Sequence, residues 1–124
     1  MIKDISTILT LYKTPLNKLN NLKKYKDFKL LIFEQEGSKF SEKKLRKILN
    51  FKFKYYFSKK NIGLSKASNF LLSRVKSKYL LFTQPDILIE KKEILNLKKI
   101  FKINKNIILV TPNMYSKKKG KKIK

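Results

Sequence analysis

The stretch NIGLSKASNFLLSRVKSKYLLFTQPD, residues 61–86, joins a glycine turn, a helical pattern, an apolar strand and a proline followed by an acid. In its helical part, apolar residues recur at the spacing of one helix face: Leu64, Ala67, Leu71, Leu72 and Val75. The run YLLFT, residues 79–83, is short and apolar, which is typical of a buried strand. A turn, a helix and a buried strand in this order indicate one unit of a parallel α/β sheet.

The same alternation extends on both sides of this stretch. Further apolar runs predict strands at residues 5–11 (ISTILTL), 28–33 (FKLLIF), 53–57 (FKYYF) and 107–111 (IILVT). Helical patterns lie between them. Thr14 is expected to cap the first helix with Pro15 at its first position, Ser41 is expected to cap the second, and a last helix is expected over residues 91–102.

These elements predict an α/β fold of three layers, α/β/α, around a mostly parallel sheet with right-handed crossovers. A chain of 124 residues with 42% apolar content has the material for one domain with a real core. We expect that domain over residues 1–115, followed by a basic tail over residues 116–124.

The composition excludes several kinds of site. The chain has no cysteine and no histidine, which removes disulfides, zinc fingers, thiol nucleophiles and histidine bases, so any metal must be held by oxygen. Its apolar runs are far shorter than the roughly 20 residues of a membrane span, and its N-terminus lacks a secretory signal pattern. We therefore expect a cytoplasmic protein.

The formal charge of +24 invites comparison with nucleic-acid-binding proteins. However, all of the 32 basic residues except Arg46 and Arg74 are lysine, whereas base edges and bidentate phosphate contacts favour arginine. Aromatic residues are also not clustered with arginine in one strand or loop, as stacking modules require. Composition alone does not separate nucleic-acid binding from the coding bias of an A+T-rich genome. The lysine-rich tail is of a kind that is usually solvated, although its lysines would add affinity for an anionic membrane surface.

Polar residues at the ends of the predicted strands are the candidate site: Thr10, Tyr12, Glu34, Gln35, Asn61, Gly63, Gln84 and Asp86. In open parallel sheets, ligands bind outside the carboxyl ends of the strands where the strand order reverses. Each of these residues also fits an ordinary role in a turn. Position alone leaves both interpretations open.

Four motifs in order resemble landmarks of the family 2 glycosyltransferases with the GT-A fold, in particular the rhamnosyltransferase-like group: STILTLYKTPLNKL, LLIFEQEGS, NIGLSKASN and YLLFTQPDILI. NIGLSKASN matches the family pattern Asn-x-Gly-x-x-x-Ala-x-Asn, and QPD stands where the family has Asp-x-Asp or Asn-Pro-Asp. The likeness covers residues 5–112. It implies a fold of the nucleotide-diphospho-sugar transferase type, incomplete at the C-terminus because family domains are longer.

The resemblance implies that a nucleotide-diphosphate sugar lies across the strand ends. Thr10 and Tyr12 would line the pocket for the base and ribose, and Glu34 would contact one of these two groups as an acceptor. Asn61 and Gly63 would shape the loop over the nucleotide, where glycine allows the backbone to approach a ligand closely.

The same resemblance implies that Asp86 holds Mg or Mn on the diphosphate, stiffened by Pro85 before it. Gln84 replaces the family's first acid and would contact ribose or a ligated water. The surrounding lysines offer an alternative way to neutralise the diphosphate. Asn69 would lie near the nucleotide or the sugar, although an amide on a helix surface is an equally good interpretation.

The base that accepts the proton of the sugar acceptor stays unassigned, because all eight carboxylates precede residue 94 and the family takes this acid from a later segment. The resemblance therefore implies the donor- and metal-binding half of a glycosyltransferase that acts on a glycan or lipid-linked acceptor, with peripheral contact at the inner membrane face. The alternatives are a basic nucleic-acid-binding α/β module and a catalytically inactive nucleotide-binding relative.

Overall fold

The structure is a computed structural model, and it describes residues 2–115 and 122–123. The chain divides into two compact units, Met1–Leu88 and Ile89–Lys124. In the described residues, no helix is both long enough and apolar enough to cross a membrane.

The first unit alternates strands and helices. Its elements are β1 Ile5–Tyr12, α1 Leu16–Asn20, a short 3-10 helix Asn21–Tyr25, β2 Lys29–Gln35, α2 Lys39–Leu49, β3 Lys54–Ser58, α3 Leu64–Leu72 and β4 Tyr79–Phe82. The strands form one sheet in the order β3-β2-β1-β4, and every pairing is parallel. The prediction of an α/β fold with a parallel sheet is confirmed.

The strand order reverses next to β1. The chain moves from β1 to β2 and β3 in one direction and then returns to place β4 on the other side of β1. Because parallel crossovers are right-handed, this reversal sends α3 to the opposite face of the sheet from α1 and α2. The reversal also opens a crevice between the carboxyl ends of β1 and β4.

The face of the sheet toward α3 is defined by its packing. Ala67 and Leu71 of α3 pack with Ile8, Leu31 and Phe33 in one buried cluster. Paired residues of neighbouring strands share a face, and residues two apart along a strand do so as well. The register therefore puts three polar side chains at the strand ends on the α3 face: Thr10, Tyr12 and Gln35. By the same alternation, Glu34 lies on the other face.

The predicted helix caps need correction. The cap of α2 is Ser38, whose Oγ accepts from the Ser41 N–H at 3.1 Å, while Ser41 is the third helical residue and accepts from the Ser38 N–H at 2.7 Å. Two serines three residues apart thus cap each other's backbone, and the helix begins earlier than predicted. At α1 the cap position is Pro15 with no side-chain hydrogen bond, so the prediction for Thr14 was wrong.

The second unit contains α4 (Lys91–Ile103) and a two-stranded antiparallel pair, β5 (Met114–Tyr115) with β6 (Lys122–Ile123). The strand predicted at residues 107–111 was wrong. The segment forms no strand, and Ile108 and Leu109 are 91% and 78% exposed. An apolar run becomes a strand only when a neighbour pairs its backbone, and no strand among the described residues pairs with this one. The predicted tail, residues 116–124, lies outside the described residues apart from Lys122 and Ile123.

Candidate functional site

A cavity of about 260 Å³ lies at the carboxyl ends of the strands, in the crevice where the strand order reverses. We call it the switch-point cavity. Seven residues line it, from three strand ends and the loop before α3. Five of them are candidate residues, Thr10, Tyr12, Gln35, Asn61 and Gln84, and the other two are Leu64 and Pro85. The position agrees with the general rule for ligand sites in open parallel sheets.

Tyr12 gives the cavity an accessible aromatic surface. It is the last residue of β1, and 46% of it is exposed. The ammonium of Lys13 lies 5.2 Å from the centre of the Tyr12 ring. The hydrogen bond to Tyr12 and the nearby charge of Glu36 raise the pKa of Lys13. A flat ring with a cation beside it suits an aromatic group attached to an anion.

Gln35 is the site residue that the sequence interpretation left without a role. Only 5% of it is exposed. Its Nε2 donates to the Gly63 carbonyl at 3.0 Å, and its Oε1 accepts from the Ile62 N–H at 2.9 Å. The side chain therefore holds the loop between β3 and α3 against the end of β2. Because successive side chains of β2 point to opposite faces of the sheet, Gln35 lies on the α3 face and Glu34 on the other. This alternation was the signal in the sequence that could have identified Gln35.

The loop before α3 presents backbone N–H groups near the cavity. Asn61 Oδ1 accepts from the Gly63 N–H at 2.8 Å, which closes a tight turn. Gly63 has φ +89°, a conformation that favours glycine. It caps α3 without a side-chain hydrogen bond, so the first-turn N–H groups of α3 receive no acceptor from the cap residue at the positive end of the helix.

Asp86 lies at the tip of a turn beside the cavity. The Ile87 N–H donates to the Gln84 carbonyl at 3.1 Å, so Pro85 and Asp86 are the central residues of this turn. Asn21 Nδ2 donates to the Pro85 carbonyl at 3.3 Å and ties the turn to the 3-10 helix. Asp86 is exposed and forms no ion pair with another described residue.

A buried hydrogen bond supports the base of the same turn. Tyr25 and Thr83 join their hydroxyls at 3.0 Å, and the Thr83 N–H donates to the Ile8 carbonyl at 3.2 Å. Tyr25 is 1% exposed, and burial raises its pKa. Nothing in the sequence pattern connects Tyr25 with Thr83, because the contact depends on the sheet order.

Removing the Tyr25 hydroxyl is expected to weaken the fold. Tyr25→Phe should lower the free energy of unfolding by about 1–2 kcal/mol, because the Thr83 hydroxyl loses its buried partner. Urea unfolding followed by circular dichroism measures the change. Tyr12→Phe is the matched control, since Tyr12 is exposed, and the double variant with Thr83→Val should lose less than the sum of the single changes. Equal loss in both tyrosine variants would contradict the assignment.

Four predicted site residues do not line the cavity: Glu34, Gly63, Asn69 and Asp86. Glu34 accepts a short hydrogen bond from the Tyr55 hydroxyl, which also contacts the Ser41 hydroxyl at 2.9 Å. Burial and the Glu34 carboxylate both raise the pKa of Tyr55. Asn69 is exposed on α3 and is not among the lining residues. The roles given to Glu34 and Asn69 stay predictions.

The residues beside the cavity fit a metal ion only in part. No group of three metal-binding side chains occurs in the described residues. Asp86 offers one exposed carboxylate, and the amide of Gln84 offers a second oxygen two residues before it. Mg binds well to one or two carboxylates when phosphates and water complete its shell. The donor set therefore fits a cation that arrives with a diphosphate.

Comparison with known proteins adds an independent observation. A family model described as glycosyl transferase family 2 matches residues 8–124. Two solved structures are similar, a crystal structure of S. aureus TarS and a crystal structure of S. aureus TarS 1-349. Each has a TM-score of 0.64 and 18% identity over 92% of this chain, which covers 24% and 40% of the two TarS chains. At this identity the likeness shows the fold. A comparison with curated proteins found no match.

Proposed function

This chain belongs to glycosyl transferase family 2, and we propose that it supplies the donor- and metal-binding half of an enzyme that transfers a sugar from a nucleotide-diphosphate sugar to a glycan or lipid-linked acceptor. The observation that carries the proposal is the switch-point cavity, where Thr10, Tyr12, Asn61 and Gln84 meet. The chain spans less than half of the TarS structures that it resembles.

The base and ribose are proposed to lie on the β1 side of the cavity. The exposed ring of Tyr12 offers a stacking surface, and the Thr10 hydroxyl is a donor and acceptor on the same face of the sheet. Asn61 and Leu64 would close the opposite wall, held in place by Gln35. Glu34 is kept as a contact to the base or ribose only if the Tyr55 hydrogen bond opens.

The diphosphate is proposed to lie between the start of α3 and Asp86. The first-turn N–H groups of α3 favour an anion. Asp86 would hold the Mg or Mn ion, and Gln84 would orient a ribose hydroxyl or a ligated water. The bound cation would neutralise the negative charge that develops on the diphosphate as the bond to the sugar breaks. Asn69 would lie along α3 toward the sugar.

The proton of the acceptor hydroxyl needs a base, and the proposal assigns none in this chain. None of the seven residues that line the switch-point cavity is a carboxylate. Asp86 is assigned to the cation, which excludes it as the base. We propose a cytoplasmic location with peripheral contact at the inner membrane face.

Calorimetry with uridine, thymidine and guanosine diphosphate sugars, each in Mg or Mn, tests the proposal. We expect saturable binding at one site for at least one of them. Single-stranded nucleic acid is the comparison ligand, because phosphate-driven binding to a basic protein weakens steeply with salt. Absence of heat with every sugar nucleotide, together with tight salt-sensitive binding of nucleic acid, would overturn the proposal in favour of a nucleic-acid-binding module.

A further inference from the structure

A second cavity of about 270 Å³ lies at the end of the sheet where the strands begin, opposite the switch-point cavity. Its walls include the starts of β1, β2 and β3. Four apolar residues form its floor, and each is less than one-tenth exposed: Phe28, Leu30, Leu31 and Phe53. No part of the function proposed above uses this cavity.

The rim of the cavity is cationic. Five exposed basic side chains surround it: Lys29, Lys52, Lys54, Arg74 and Lys76. None of its ten lining residues is acidic, and none of the five cations forms an ion pair with a carboxylate in the described part of the chain. The other arginine, Arg46, is by contrast paired with Glu42 at 2.8 Å. We call this site the basic cavity.

Arg74 is held in position at the rim. Its guanidinium lies 3.8 Å from the centre of the Phe70 ring and 5.3 Å from that of Tyr56. Its Nη1 donates to the Ser73 hydroxyl at 3.0 Å. Phe70 is itself fixed by edge-on contacts with Phe33 and Tyr56. A stacked, planar guanidinium keeps several N–H donors free and loses little conformational entropy when it binds an anion.

Convergence of these five charges is unfavourable in the absence of an anion, because like charges around one cavity repel each other. The five basic residues come from three separate segments, residues 29, 52–54 and 74–76, and line one cavity together with buried apolar side chains. Several cations around one cavity, with a planar guanidinium among them, match the charge of linked phosphates. The apolar floor suits a neutral group attached to them.

We propose that the basic cavity is a second anion site, which binds a ligand with two linked phosphates next to a neutral or apolar group. The ligand is a soluble diphosphate compound or a lipid with a diphosphate headgroup. The site is separate from the switch-point cavity, because all strands of a parallel sheet start at one end of the sheet and finish at the other.

The test uses inorganic pyrophosphate as the probe, with the chain free of divalent cations in EDTA. We expect saturable binding at 150 mM salt, with amide chemical-shift changes at Leu30, Leu31 and Lys54. The amides of Gln35 and Asn61, at the strand ends, should shift only at higher pyrophosphate concentration, because the diphosphate position proposed there lacks its cation in EDTA. Changes spread over all exposed lysines without saturation would overturn the proposal.

A charge-matched pair of variants makes the assignment specific. Lys29→Gln with Lys54→Gln should weaken pyrophosphate binding roughly tenfold, which corresponds to about 1.4 kcal/mol, since two of the five charges at the cavity are lost. The control is Lys43→Gln with Lys44→Gln, on the exposed side of α2, which removes the same charge and should change affinity less than about twofold. Equal weakening by both double variants would overturn the proposal.

Vesicles separate the two sources of phosphate. The chain is sedimented with vesicles of phosphatidylcholine alone and of phosphatidylcholine with geranylgeranyl diphosphate, a lipid whose headgroup is two linked phosphates. A lipid headgroup is assigned if the chain binds the anionic vesicles under two conditions. The double variant Lys29→Gln with Lys54→Gln must lose this binding, and pyrophosphate must compete with it. Retained pyrophosphate binding without this vesicle binding assigns a soluble diphosphate compound. Anionic-vesicle binding that both double variants reduce equally would count against the basic cavity.

Discussion

Replacing Asp86 with alanine is expected to raise the Kd for a nucleotide-diphosphate sugar in Mg by roughly 10- to 100-fold, since a charged contact of this kind contributes about 1.5–3 kcal/mol. The physical reason is that Asp86 is the one carboxylate of the QPD turn, so its loss leaves the cation with the diphosphate and neutral oxygens. In EDTA the variant and the parent chain should bind with similar, weaker affinity. Calorimetry in both buffers measures the difference.

The fold should survive this change. Asp86 is exposed and has no ion pair among the described residues, so the free energy of unfolding should stay within about 0.5 kcal/mol of the parent value. Asp27→Asn is the charge-matched control, because Asp27 precedes β2 at the far edge of the sheet. Two results would contradict the role of Asp86: unchanged affinity in Mg, or an equal loss in Asp27→Asn.

Replacing Gln35 with leucine is expected to lower the free energy of unfolding by about 2–4 kcal/mol, because two backbone groups lose their partners at a nearly buried position. These are the Gly63 carbonyl and the Ile62 N–H, at 3.0 and 2.9 Å. The loop before α3 would no longer be held against β2. Affinity for the nucleotide-diphosphate sugar should therefore fall as well, by roughly tenfold. Urea unfolding and calorimetry on the same samples measure the two effects.

Gln84→Leu is the matched control for this experiment. Gln84 lines the same cavity, but it is exposed and its side chain has no hydrogen bond with another described residue. Its replacement should leave the free energy of unfolding within about 0.5 kcal/mol while it alters ligand contacts. If Gln35→Leu is as stable as Gln84→Leu, the loop does not depend on the Gln35 amide.

The sheet and its helices could be predicted from the sequence because the spacing of apolar residues within each short segment indicates a helix or a strand. The spacing of Ala67 and Leu71 predicts a buried helix face, and both residues are fully buried against the sheet. The run at residues 107–111 is as apolar as the true strands, yet strand formation also needs a paired neighbour, which no local pattern reveals.

The sequence could predict that the candidate site lies at the ends of the strands, but it could not predict which side chains face the cavity. Sequence order indicates that Glu34 and Gln35 both end a strand, but which of them lies on the cavity side depends on the register with β1 and on the face that α3 covers. A shift of one residue exchanges the two faces. The support from Asn21 and Tyr25 was not predictable, since these contacts span 64 and 58 residues of sequence.

The length of the strands also sets the distance between the two cavities, which lie at opposite ends of the sheet. β2 has seven residues, so its start and its end are separated by roughly 20 Å at the usual rise of a strand. At physiological ionic strength, charges in solvent are screened over about 8 Å, less than half of that length. A ligand bound in one cavity should therefore leave the affinity of the other cavity unchanged near 0.15 M salt. The two affinities should depend on each other electrostatically only as the salt is diluted toward 0.01 M, where the screening length reaches about 30 Å.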